Sequence, residues 1–93
     1  MTRKAQRELT KILQHIHSDK PLAAEKMAAE FERTFRLLAL QPYMGTIGAV
    51  ERTRETFVKG VYRVVYQVGS SVLNVLRVIH TARRWPPGRR TGS

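Results

Sequence analysis

Beyond Glu55 this chain has no acidic residue, yet it carries Lys59, Arg63, Arg77, Arg83, Arg84, Arg89 and Arg90, with the single histidine of that half, His80, and its single tryptophan, Trp85, among them. Guanidinium groups form planar, bidentate hydrogen bonds with phosphate or carboxylate, and an indole offers a large contact surface, so these residue types serve recognition of an anionic macromolecule. Fixed cations also stabilise the charge that develops during phosphodiester cleavage, provided that a titratable group stands beside them to move the proton. The whole chain has 17 Lys and Arg against 7 Asp and Glu, a formal charge of +10 and a pI near 11.2. Such a surface attracts polyanions or an acidic partner protein; solubility alone is the plainer use of the same charge.

Other chemistry is poorly provided for. There is no cysteine, which removes disulfides and thiolate metal sites and fits a reducing compartment. His15 and His17 stand two apart on a helical pattern and point to different sides, so a shared metal ion is not expected. Phosphate-loop, dinucleotide-binding and zinc-protease motifs are absent, and no cofactor is expected. The opening Met1-Thr2-Arg3-Lys4-Ala5-Gln6-Arg7 leads into no apolar signal region, and no apolar run is long enough to span a membrane. A cytoplasmic protein is expected.

At 93 residues one core is the most the chain can build, and residues 1–88 are read as a single domain followed by a basic tail, 89–93, too polar to order itself. Ala5, Leu9, Ile12, Leu13 and Ile16 form one stripe of a helix from about Thr2 to His17. Ser18-Asp19-Lys20-Pro21 then supplies a turn, with Ser18 or Asp19 as a candidate N-cap, and Ala24, Met27, Phe31, Phe35 and Leu38 mark a second helix to Leu40. Gln41 to Gly48 reads as a loop. Thr53–Val58, Val61–Val68 and Val72–His80 then alternate in the manner of strands, separated by the glycine-bearing hairpin turns Lys59-Gly60 and Gly69-Ser70-Ser71.

The resulting expectation is an α+β, two-layer fold: an antiparallel helical hairpin packed on a three-stranded antiparallel meander. In the middle strand Tyr62, Val64, Tyr66 and Val68 share the face that packs on the helices, and Val61, Arg63, Val65 and Gln67 share the other. The last strand is apolar on both parities, so its pattern does not choose a core face.

This order of elements resembles the RelE/ParE toxin superfamily, and particular segments carry the likeness. Arg7-Glu8-Leu9-Thr10-Lys11-Ile12 is similar to the first helix of ParE-type toxins, Pro21-Leu22-Ala23-Ala24 to the start of their second, and Gln41-Pro42-Tyr43-Met44-Gly45 to the loop that follows. Tyr62-Arg63-Val64-Val65-Tyr66-Gln67-Val68 resembles the family's tyrosine-arginine strand, and Val75 through Pro86 its closing strand and tail. Members usually begin with a short strand that pairs with the last one; here it is missing, which implies an unpaired hydrophobic edge along Val72–His80. A misplaced start codon, a natural truncation that leaves the toxin inactive, or a strand supplied by a partner each accounts for that.

The resemblance implies the toxin of a type II toxin-antitoxin pair, a cognate acidic antitoxin, and a toxin-antitoxin hetero-oligomer. It also implies one of two targets. For a ribosome-dependent mRNA endonuclease working without a metal, Arg63, Arg77 and His80 are the candidate site residues. No tyrosine follows Tyr66 to serve as the C-terminal aromatic acid-base partner of such enzymes, and the chain closes on Trp85-Pro86 as ParE-type toxins do. A non-catalytic inhibitor of DNA gyrase is therefore favoured, with Arg77, His80, Arg83, Arg84 and Trp85 as the target-binding residues. Arg63 and Arg77 read equally as a solvated strand face, and Trp85 suits either capping the core or meeting a partner. A basic nucleic-acid-binding module is the remaining reading; it calls for stacking aromatics or a recognition helix, and neither is evident.

Overall fold

The structure is a computed structural model, and it describes residues 1–88; the expected tail at 89–93 lies outside the described residues. Helix α1 spans Arg3–Asp19 and is opened by Thr2, whose hydroxyl accepts from the Ala5 amide at 3.1 Å. Helix α2, Pro21–Leu40, follows after the single residue Lys20, with Pro21 in the first turn, where its missing N–H removes no helical hydrogen bond. Neither Ser18 nor Asp19 caps α2: α1 runs on through both, the Ser18 hydroxyl donating to the His15 carbonyl, and Lys20 takes the cap position without a side-chain bond. The anticipated stripes close the seam, with Ala5, Ala24, Phe31 and Leu38 buried and Leu9, Ile12, Leu13, Met27 and Phe35 packed against the core.

The helices cover one side of an antiparallel sheet of four strands in the order β1-β2-β3-β4, comprising Thr46–Ile47, Arg54–Val58, Tyr62–Val68 and Leu73–His80. The pattern of the sequence predicts three. The additional β1 comes from the segment read as loop, pairing Thr46 with Glu55 and Ile47 with Arg54. Two residues have no periodicity to read, and the pairing is set from outside by a close approach at Gly45. A Cβ there would fall 2.6 Å from both the Glu55 carbonyl and the Tyr66 hydroxyl.

Tyr66 is the reason the loop lies so close. Its fully buried ring carries a hydroxyl that donates to the Pro42 carbonyl at 2.7 Å and accepts from the Gly45 amide at 3.1 Å, tying the end of α2 to the middle of the sheet. Tyr62 and Val64 share its face, as the alternation requires, and join Val58, Val75 and Val78 in the core.

A β-bulge resolves the parity of β4. Val65 pairs with Arg77 but Tyr66 pairs with Val75, so Leu76 is the extra residue and the alternation changes phase there. Leu73 and Val75 before the bulge and Val78 after it all reach the helix side, while Arg77 and Ile79 take the far side. That far side is not wholly cationic, because Val65 and Ile79 are buried on it. Among the described residues, no helix is long and apolar enough to cross a membrane.

Replacing Tyr66 by Phe keeps the packed ring and leaves the Gly45 amide and Pro42 carbonyl without their partner. Urea unfolding of Tyr66→Phe is expected to show a loss of about 1–3 kcal/mol, and a change within about 0.3 kcal/mol would show that the tether is not needed.

Candidate functional site on the far face and outer edge of the sheet

Arg63 stands on β3 between Phe57 of β2 and Ile79 of β4. Its guanidinium lies 5.1 Å from the centre of the Phe57 ring, and its Nη1 donates to Oε1 of Glu55. Glu55 is itself buried, and its Oε2 accepts the Ala49 amide at 2.9 Å. A carboxylate so enclosed stays put because the arginine neutralises it and the amide binds it. Arg63 is therefore neither a solvated residue nor a free phosphate ligand: its charge is already engaged.

Arg77 has the same history on the next strand. Its Nε and Nη2 form a fork onto Glu8 of α1, with Nε at 3.1 and 2.9 Å from the two carboxylate oxygens and Nη2 at 2.7 Å from Oε2. Both side chains are only 16% exposed, so solvent screens the pair little. Glu8 does a second job with Oε1, which accepts the outward-facing amide of Val78 at 2.9 Å.

That contact changes the expected state of the sheet's outer edge. The Thr2 amide donates to the Val75 carbonyl at 2.9 Å and its hydroxyl to the Leu76 carbonyl at 3.0 Å. Together Thr2 and Glu8 bind outward-facing groups of β4. The edge is closed in part by the first turns of a helix, which engage the Val75 and Leu76 carbonyls and the Val78 amide.

His80 lies apart from both arginines. It pairs with Tyr62, on the helix side of the sheet, and its ring meets the Tyr62 ring edge-on at 5.4 Å. Its Nδ1 accepts the Ala82 amide at 2.9 Å, leaving Nε2 as the ring nitrogen without an assigned partner. Among the three residues that suit a nuclease, the structure thus groups Arg63 with Arg77 and places His80 on the opposite face. In the tail, Arg83 and Arg84 are exposed, while Trp85 is half-buried with its ring 5.1 Å from the Arg77 guanidinium. The indole N–H is enclosed without a hydrogen-bond acceptor. Of the residues expected to bind a target, Arg77 and Trp85 hold each other against the sheet, His80 is exposed at the strand end, and Arg83 and Arg84 point to solvent. Glu8 and Glu55, which decide what the arginines do, have no signature in the sequence; both stand far from their partners along the chain or across a hairpin, and only the register joins them. Among the described residues, no three His, Asp or Glu side chains gather where a metal ion would sit.

A family model described as the ParE toxin of the type II toxin-antitoxin system parDE matches residues 1–85. The chain is 31% identical over 86 residues to the protein named "Putative toxin Y4kP" of Sinorhizobium fredii, an alignment that spans 91% of this chain and 88% of that protein.

Truncating Glu8 leaves Arg77 enclosed without a counter-charge and the Val78 amide without an acceptor. Glu8→Ala is expected to lose about 3 kcal/mol in chemical denaturation, a figure typical for breaking an enclosed pair. Since Trp85 is the only tryptophan, Arg77→Leu has a direct optical readout: emission should shift to the red and acrylamide quenching should rise. An unchanged spectrum would show that the guanidinium does not hold the indole.

Proposed function

Since the chain belongs to the ParE family of type II toxins, we propose that it acts as a non-catalytic inhibitor of DNA gyrase, working in the cytoplasm and restrained by a cognate antitoxin. The observation that carries this reading is the engagement of the two strand arginines. Metal-free RNA cleavage asks for a titratable group and free cations converging on one phosphate. Here Arg63 is taken by Glu55, Arg77 by Glu8, and His80 lies on the other side of the sheet. Those positions support a structural use of both arginines and favour binding over catalysis.

The groups left for a target are in the tail. Arg83 and Arg84 are exposed fork-shaped donors, suited to a carboxylate or phosphate on the target. Trp85 brings a half-buried indole, seated on Arg77, whose remaining open surface offers apolar contact to a target. The family implies the antitoxin. An acidic chain with apolar anchors suits the +10 charge and the cleft between the end of α2 and the β3–β4 turn, lined by Phe35, Ala39, Val68, Leu73 and the exposed Val72.

Purified toxin is expected to inhibit supercoiling by gyrase while leaving ribosome-bound mRNA intact. Arg83→Ala/Arg84→Ala should weaken inhibition at least about tenfold, equivalent to about 1.4 kcal/mol, the worth of one charge-assisted hydrogen bond. Cleavage of mRNA that disappears in Arg63→Ala or His80→Ala, with the fold retained, would replace this reading by the endonuclease.

A further inference from the structure

The outward face of α1 is a second cationic surface, separate from the tail. Arg3, Arg7 and Lys11 recur every four residues, so they stand in one row over about 12 Å of helix. Lys4 lies beside them, and Gln6, Thr10 and Gln14 form a parallel row of neutral hydrogen-bonding side chains; all are exposed. The apolar Leu9, Ile12 and Leu13 turn the other way and pack on the core.

The fold leaves this face without internal neutralisation. Glu8 has Lys4 four residues before it and Lys11 three after it, spacings at which a surface carboxylate pairs with its neighbours on the helix. Instead Arg77 and the Val78 amide draw Glu8 onto the sheet edge. Among the described residues, Arg3, Lys4, Arg7 and Lys11 form no ion pair.

We infer that the outer face of α1 binds the sugar-phosphate backbone of duplex DNA without regard to sequence. The row spans about three phosphate steps of one strand, at roughly 3.4 Å of helix axis per nucleotide, and Arg, Lys, Gln and Thr are the side chains that bind the backbone of nucleic acids. Two other partners fit less well. A protein interface draws its energy from aromatic and aliphatic anchors, which this face lacks. Single-stranded nucleic acid is held by base stacking on aromatic side chains, also missing here. Glu8, on the same turns of α1, holds Arg77, which carries Trp85, and Arg83 and Arg84 immediately precede Trp85 in the chain. A toxin that meets an enzyme holding DNA would then have one surface for each.

The test is fluorescence anisotropy of the purified chain with a labelled duplex of arbitrary sequence, titrated at several salt concentrations. Binding should weaken linearly on a log-log scale, and the Arg3→Gln/Arg7→Gln/Lys11→Gln variant should lower the magnitude of that slope by about 3, one for each phosphate that is no longer neutralised. A charge-matched control, Lys26→Gln/Arg33→Gln/Arg36→Gln on the exposed side of α2, should change it by less than about 1. Arg7→Gln alone, which removes one exposed side chain, should give about one third of the triple effect. The inference is overturned if the wild-type chain does not bind the duplex, if the two triple variants behave alike, if single strands or duplex RNA bind more tightly, or if the α1 variant loses affinity for the antitoxin and none for DNA. Supercoiling inhibition measured on the same variants separates this surface from the gyrase reading: persistence of inhibition with no duplex binding removes the former and keeps the latter.

Discussion

The fork between Arg77 and Glu8 sets the terms for much of this small protein. It spans from a strand to a helix 69 positions away in the chain, and one carboxylate serves two neighbours, a guanidinium and a strand amide. An enclosed ion pair is weak evidence of net stability, since taking both charges from water costs about as much as their attraction returns. What it provides is position. It holds α1 at the edge of β4, closes part of that edge, and orients the arginine on which Trp85 rests. The N-terminus, the last strand and the tail are thereby coupled through one carboxylate.

The second enclosed pair, Arg63 with Glu55, repeats this logic on the far face. In each case a charge that looks available from composition is matched by one of only 7 acidic residues, so the net +10 is unchanged but is carried by cations other than the two strand arginines. Among the described residues, the cations outside any ion pair include the row along the outside of α1 and Arg83 and Arg84 in the tail. Charge that survives internal pairing, and its location, says more about partners than the total does.

Much of the fold is legible in the sequence because it rests on long periodic signals. The stripe from Ala5 to Ile16, the stripe from Ala24 to Leu38 and the alternation from Tyr62 to Val68 each repeat often enough to define a face. What escapes is either very short or joined over a distance. β1 is two residues long and owes its pairing to Gly45 and Tyr66, so nothing in Thr46-Ile47 itself announces a strand. The face of β4 is unreadable because the bulge at Leu76 shifts the alternation midway, so that both parities are apolar for a structural reason. At the site, residue types single out Arg63, Arg77 and Trp85, but the contacts these make depend on Glu8 and Glu55, and pairings across strands and helices leave no spacing to read.

The bulge also bears on how this strand tolerates changes in length. Two valines three positions apart would face opposite ways in a regular strand, and it is the extra residue that brings Val75 and Val78 to the same side while Arg77 points to the other. Excising Leu76 would leave those valines two apart, so a straightened strand would keep its inside and outside and give up only the local twist and the carbonyl that receives the Thr2 hydroxyl. Excising Asn74 instead would turn the preceding half over, sending Leu73 to the solvent unless the hairpin absorbed the change. The segment therefore has one position where its length is negotiable, and that position is the one against which the start of α1 rests.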